Sequence, residues 1–141
     1  MKKQVNYTTG ILKKMIKYRI NFKKSNGIVP VIIQDYKTGD VLMLAYMNDK
    51  AFNLTQSTGF EHYRGRSKNR IWEKGESSGY VQVVKQIFID CHSDTLLLKV
   101  DQIGKAACHE GYRSCFFRRI YGDDTVIESA RVFDPSEIYK D

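Results

Sequence analysis

A stretch of alternating apolar residues that runs, without a turn signal, into a group of candidate ligands constrains this chain more than anything else in it. From Tyr80 to Asp90, Val81, Val83, Ile87 and Ile89 share one face of an extended chain, and Gln82 and Gln86 share the other. That is the pattern of a half-buried β-strand. Asp90-Cys91-His92-Ser93-Asp94 follows directly. If it stays extended, period two sends Asp90, His92 and Asp94 one way and Cys91 the other, which predicts two separate ligand sets. Cys108, His109 and Cys115 complete the collection, with the cysteines spaced C-x16-C-x6-C.

Length and charge narrow the setting. At 141 residues the chain makes one domain with room for a core. The net charge of +7 suggests a nucleic-acid partner, but residues 1–27 hold eight basic side chains and no acidic ones, and the rest holds 15 basic against 16 acidic. The basicity therefore belongs to an N-terminal extension, residues 1–26, and the body from 27 to 141 is close to neutral. An odd count of three cysteines argues against a closed disulfide framework and fits a reducing cytoplasm. No apolar signal-peptide core follows Met1-Lys2-Lys3, and Val41–Met47 is too short to span a bilayer.

Along the chain, Ile11, Leu12, Met15, Ile16 and Ile20 fall at helical spacing behind Thr9, so residues 9–20 are expected to form a basic amphipathic helix. Val31–Tyr36 and Val41–Tyr46 flank Lys37-Thr38-Gly39-Asp40 as a hairpin. Asn48 caps a helix from Asp49 to Ser57 that Thr58-Gly59 ends, with Ala51, Phe52 and Leu54 turned inward. Phe60–Arg64 reads as a strand. Gly65–Gly79 mixes glycine and serine with Arg66, Lys68, Arg70 and Lys74, which suits an anion because small residues let amides approach it. A solvated loop has the same texture, and no P-loop or GxGxxG is present. Thr95–Val100 pairs back on the strand before it, Arg113–Tyr121 and Thr125–Val132 are strands about a Gly122-Asp123-Asp124 turn, and Asp134-Pro135 opens a short cap. About seven strands and few helices predict a compact α+β domain, mainly antiparallel β.

Cysteine thiolates favour zinc. A fourth ligand from His92 or His109 would close a structural site; solvent in that position would make a catalytic one, and spacing alone leaves both open. Asp90, His92 and Asp94 form the second set: oxygens suit Mg²⁺ or Mn²⁺, and the imidazole shifts preference toward transition metals. The plain alternative is an acidic strand end in water. His62, on a strand, reads either as a structural histidine or as a catalytic one.

Four ordered blocks make the chain resemble the phosphoribosyl-AMP cyclohydrolase family over residues 27–121. They are Gly27-Ile-Val-Pro through Asn48; Arg66-Ser-Lys through Trp72-Glu-Lys-Gly-Glu-Ser-Ser-Gly79 with Gln82; Asp90-Cys-His-Ser-Asp94; and Ala107-Cys-His-Glu-Gly-Tyr-Arg-Ser-Cys-Phe116. The resemblance implies zinc on Cys91, Cys108 and Cys115, magnesium on Asp90, position 92 and Asp94, and a homodimer with zinc and active site at the interface. His92 stands where the family has aspartate, and Tyr80 where His or Asn is usual, so the second metal is magnesium or another divalent cation. No pyrophosphohydrolase domain follows, so the chain reads as the monofunctional form.

The implied activity is opening of the adenine ring of phosphoribosyl-AMP at N1–C6, the third step of histidine biosynthesis, with His109 as proton shuttle and His62 as second choice. Arg66, Ser67, Lys68, Lys74, Ser77 and Ser78 then meet the substrate's phosphates, and Trp72, Gly75 and Glu76 belong to the same binding block. No nucleic acid or membrane enters this reading. The alternative is a zinc-stabilised nucleic-acid-binding module built on the basic extension.

Overall fold

The computed structural model describes residues 3–6, 12–67 and 69–138. At its start Lys3–Asn6 (β1) and Leu12–Met15 (β2) pair as an antiparallel ribbon. The helix expected over residues 9–20 is therefore not formed at Leu12–Met15, and residues 9–11 lie outside the described residues. A lone short helix in water is marginal unless its apolar stripe docks, and here strand pairing satisfies the backbone instead. The chain then docks through Tyr18, whose ring meets Phe52 edge-on at 6.2 Å and whose hydroxyl accepts from Gln56 Nε2 at 3.0 Å. Asn21 N–H donates to the Ser93 carbonyl at 2.6 Å, and a single 3-10 turn spans Lys23–Ser25.

Val29–Asp35 (β3) and Val41–Met47 (β4) form the expected hairpin. Asp35 Oδ1 accepts from the amides of Lys37 and Thr38, which fixes the turn. Asn48 Oδ1 caps the following helix, Asp49–Thr58 (α1), through Ala51 N–H at 2.8 Å, and Gly59 ends it at φ 80°. Ala51, Phe52 and Thr55 are its buried residues; Leu54 is only half-buried, because the stripe facing the sheet runs through i, i+1 and i+4.

His62–Arg64 (β5) pairs with Ile71–Glu73 (β6), a strand inside the stretch expected to be loop. Gln82–Ile89 (β7) returns along Leu96–Gln102 (β8). A register shift between Val84 and Gln86 breaks the period of two in β7. Val84, Ile87 and Ile89 therefore pack against the core, and Gln82, expected on the polar face, is fully buried. The sheet order is β4-β3-β8-β7, with β3 and β8 parallel and the other pairs antiparallel. Arg118–Tyr121 (β9) and Asp124–Ile127 (β10) make a last ribbon, and Pro135–Ile138 (α2) ends the described chain. The strand expected from Arg113 begins only at Arg118, because residues before it are drawn into a cysteine-bearing loop.

One face of the sheet makes the core. Val29, Val31, Ile33, Leu42, Met47, Leu96, Leu98 and Val100 are buried there beneath Ala51 and Phe52. Each such side chain contributes about 1.5–3 kcal/mol through burial. Leu44, Ile32, Leu97 and Phe88 lie in register across the opposite face, and Leu44, Ile32 and Phe88 are exposed. Among the described residues no helix is long and apolar enough to cross a membrane. The architecture is α+β with mostly antiparallel pairing, as expected.

Candidate active site

The loop between β8 and β9 closes on itself through backbone. Ala107 N–H donates to the Arg113 carbonyl, Cys108 N–H to Tyr112 and Gly111 N–H to Cys108, each at 3.0 Å. Cys115 N–H donates to the Leu42 carbonyl at 2.7 Å, tying the loop to β4. Arg113 straps it to the β3–β4 turn, with Nη1 on Asp40 at 2.9 Å and Nη2 on Asp35 at 2.8 Å. Burial works to raise the Asp35 carboxyl, but the Thr38 and Lys37 amides and Arg113 outweigh it and hold the group below its ordinary range.

This folding brings Cys108 and Cys115 together. Cys108 is buried, and its sulfur accepts from Glu110 N–H at 3.4 Å. Cys115 is exposed overall, but the protein around its sulfur removes enough water that this desolvation, then the Cys108 sulfur beside it, push the thiol up to about 12, against the pull of Lys74. Two sulfurs held side by side are a donor pair that suits zinc. Cys91 does not join them: among the described residues the one cluster of three metal-type ligands is Asp90, Cys91 and His92.

Two recesses open beside the pair. One, of about 230 Å³, is walled by Trp72, Glu76, Ser77 and Ser78. The other, of about 270 Å³, is walled by Tyr46, Arg66 and Cys115. Tyr63, Lys74 and His109 belong to both. Gly75 is required by geometry: at φ 89° it lies so near the Tyr80–Val81 backbone that an added Cβ would meet it at 2.5 Å. Arg66 sits 4.9 Å from the Tyr46 ring centroid. Arg70 covers Trp72 at 3.4 Å and pairs with Glu76 at 3.0 Å, so Glu76 is already engaged by a cation. Ser67 is exposed outside both recesses, and Lys68 lies outside the described residues. His62 lines neither: its Nδ1 is 2.8 Å from the Phe60 carbonyl oxygen and its Nε2 3.8 Å from Glu73.

Sequence reasoning missed Glu61. It is 0% exposed and, among the described residues, neither carboxylate oxygen has a hydrogen-bond partner. Burial raises its pKa to about 8, with Lys74 acting the other way. Burial likewise lowers the Lys74 ammonium, opposed by Cys115, Glu61 and Cys108. Nothing in the sequence marks Glu61, since an acidic residue after a helix reads as solvated.

The Asp90–Asp94 segment is a tight turn rather than a continued strand, with Ser93 at φ 59°. Asp90 Oδ1 accepts from Asp94 N–H at 3.0 Å and Thr95 N–H at 3.1 Å, and that capping bends the chain. The expected separation of Cys91 from its neighbours is thereby lost: His92 Nδ1 lies 3.7 Å from Cys91 Sγ and 3.8 Å from Asp90 Oδ2. Asp94 instead pairs with Lys24 at 2.9 Å, whose hydrogen bond holds its carboxyl below the ordinary range. A third hollow, about 1040 Å³, runs from this turn along residues 18–23 and holds His92 and Ser93.

A small α+β domain with a thiol pair, an imidazole and cations around two joined recesses has the make-up of a hydrolytic enzyme acting on an anionic substrate. Residues 43–117 match the model of the phosphoribosyl-AMP cyclohydrolase family. The chain is 57% identical over 122 residues to the phosphoribosyl-AMP cyclohydrolase of Desulforapulum autotrophicum, covering 86% of this chain and 98% of that protein. It is 54% identical over 121 residues to the enzyme so named in Desulfotalea psychrophila, covering 85% and 95%. It is also 54% identical over 114 residues to that of Methanospirillum hungatei, covering 81% and 84%. The chain belongs to the phosphoribosyl-AMP cyclohydrolase family and is a hydrolase.

Proposed function

We propose that this chain hydrolyses the N1–C6 bond of 1-(5-phosphoribosyl)-AMP in the cytoplasm, as the ring-opening step of histidine biosynthesis. The observation that carries the reading is the Cys108–Cys115 sulfur pair, whose Cys115 lines a recess with Arg66, Lys74 and His109. Thiolate donors fit zinc, and when bound, zinc supplies a Lewis acid that lowers the pKa of water from 15.7 to about 7. Cys91 is the third donor. It is exposed on its own turn and does not join the pair within one chain, so a partner subunit supplies it. The exposed apolar row across the sheet supports a homodimer, since such patches mark protein contacts.

In the reaction the oxygen of water adds to C6, the C6–N1 bond breaks, and the proton ends on N1 while C6 becomes an amide carbon. His109, on the wall common to both recesses, carries that proton. His62 is held behind the wall and serves the fold. Arg66 and Lys74, with Ser77, Ser78 and the Gly75 turn, receive the phosphates, and Trp72 flanks the base. Ser67 is exposed outside the recesses and Glu76 stands on the wall of the smaller one, held by Arg70; Lys68, next to Ser67 in the sequence, is the remaining candidate phosphate contact.

The second cation is not magnesium on three carboxylate-type positions. Lys24 occupies Asp94, and Asp90 offers only Oδ2 beside an imidazole and a thiol. Asp90 and His92 suit a borderline divalent ion, and Asp94 joins only if Lys24 releases it.

Purified full-length protein incubated with phosphoribosyl-AMP should change the ultraviolet absorbance of the base. A chelator should abolish the change, and Zn²⁺ rather than Mg²⁺ should restore it. Full turnover by zinc-free protein would overturn the reading.

A further inference from the structure

Burying a carboxyl without a partner is costly, and a core position normally rejects it. Glu61 is nevertheless fully buried, with no hydrogen-bond partner for either oxygen among the described residues. Its place in the ladder is defined. His62 pairs with Glu73 and Tyr63 with Trp72, and Lys74 N–H donates to the Glu61 carbonyl at 2.9 Å. Glu61 and Lys74 therefore stand directly opposite, and residues so placed send their side chains to the same face. Tyr63 and Trp72, two steps along, share that face, and with Lys74 they line the smaller recess. Glu61 thus lies at the closed root of the face whose open end is the recess.

Two sets of acidic groups favour the Lys74 ammonium against its burial: Cys115 and Cys108 on the loop, and Glu61 opposite it on the ladder. A lysine that serves only a phosphate needs neither. The ammonium has three donors and no acceptor, and the carboxyl keeps an acceptor oxygen in either protonation state.

We propose that Glu61 is a positioning residue for ring opening, acting through Lys74, whose ammonium it directs toward the sulfur pair where the attacking oxygen gathers negative charge. The inference rests on the ring-opening reading above. It deepens the part given to Lys74: a fixed cation at the reacting centre as well as a phosphate contact. Charge aimed in advance at such a centre stabilises the transition state more than the bound substrate. Removing the director should therefore lower kcat and leave KM nearly unchanged. The buried acid also opposes stability, so its neutral isostere should not weaken the fold.

The test compares zinc-loaded wild type, Glu61→Gln, Lys74→Met and the double variant, with Glu61→Met replacing Glu61→Gln should the latter not fold. Steady-state turnover of phosphoribosyl-AMP, melting temperature and quenching of Trp72, the chain's one tryptophan, are read together. Glu61→Gln should melt no lower than wild type, bind with unchanged Trp72 quenching, and lose about 10–100-fold in kcat. The double variant should be no slower than Lys74→Met, because a residue acting through another adds no separate loss. An active wild type with Glu61→Gln within twofold of it, or losses that multiply in the double variant, would overturn this inference alone. A zinc-loaded wild type that leaves the substrate intact would overturn the ring-opening reading and this inference with it.

Discussion

The loop from Ala107 to Cys115 is closed by its own amides and strapped to the sheet by Arg113, whereas Asp90–Asp94 is a turn that exposes Cys91 and His92 and is braced mainly by Asp90 and by Lys24. The first holds two sulfurs in place before any metal arrives. The second offers one sulfur outward, beside an imidazole. On the proposed reading the two halves make up one ligand set only when two copies meet, and the comparison can be tested as such.

The sharpest way to break that comparison is complementation. Cys91→Ser and Cys115→Ser should each lose at least about 10³-fold in turnover, since each removes a ligand of the Lewis acid. Mixed and reassembled, they should regain up to about a quarter of wild-type activity, because half the dimers are mixed and one of their two sites is intact. No regain would mean that all three sulfurs serve from one chain. Next in size, His109→Ala should lower kcat by about 10²–10⁴-fold with zinc content unchanged. Near-normal turnover would remove His109 from proton transfer.

Glu61 gives the largest effect on stability. Its folded pKa of about 8 lies above the ordinary 4.5, so the folded state holds the proton more tightly. Its contribution is fully present below pH 4.5 and lost as pH rises through about 8. Denaturant melts of wild type against Glu61→Gln should diverge over that window by on the order of 3–5 kcal/mol. Parallel curves would show the carboxyl to be solvated.

Arg113→Ala, which removes the strap, should cost about 1–2 kcal/mol and weaken zinc binding about tenfold, read by melting and by competition with a chromophoric chelator. Unchanged zinc affinity would show the cysteine loop to be self-sufficient. The smallest effect belongs to Lys24→Ala on the other turn. It should free Asp94 and raise Mg²⁺ affinity in calorimetric titration without lowering the melting temperature measurably. Unaltered Mg²⁺ binding would show that His92, rather than Lys24, excludes that ion.

Much of this was legible before folding. The β3–β4 hairpin, the Asn48 cap, the Gly59 stop and the β7–β8 pairing follow from local signals that tertiary packing did not override. The N-terminal strand ribbon was not legible, because the apolar spacing over residues 11–20 is helical and the pairing of Leu12–Met15 with Lys3–Asn6 has no local signal. The β7 register shift was not legible either. It moved Gln82 into the core, and no local residue announces a bulge there. The turn at Asp90 was missed because its cause is a side-chain oxygen reaching amides four and five residues on.

By itself the sequence determined the ligand inventory, the family and the order of most strands, since residue chemistry and short-range periodicity are properties of the chain. Only tertiary structure decided which ligands meet. Cys108 joins Cys115 and leaves Cys91 apart, Lys24 claims Asp94, and Glu61 lies opposite Lys74 on the ladder with no carboxyl partner among the described residues, because distances across a fold depend on turns, register and packing that no one segment encodes.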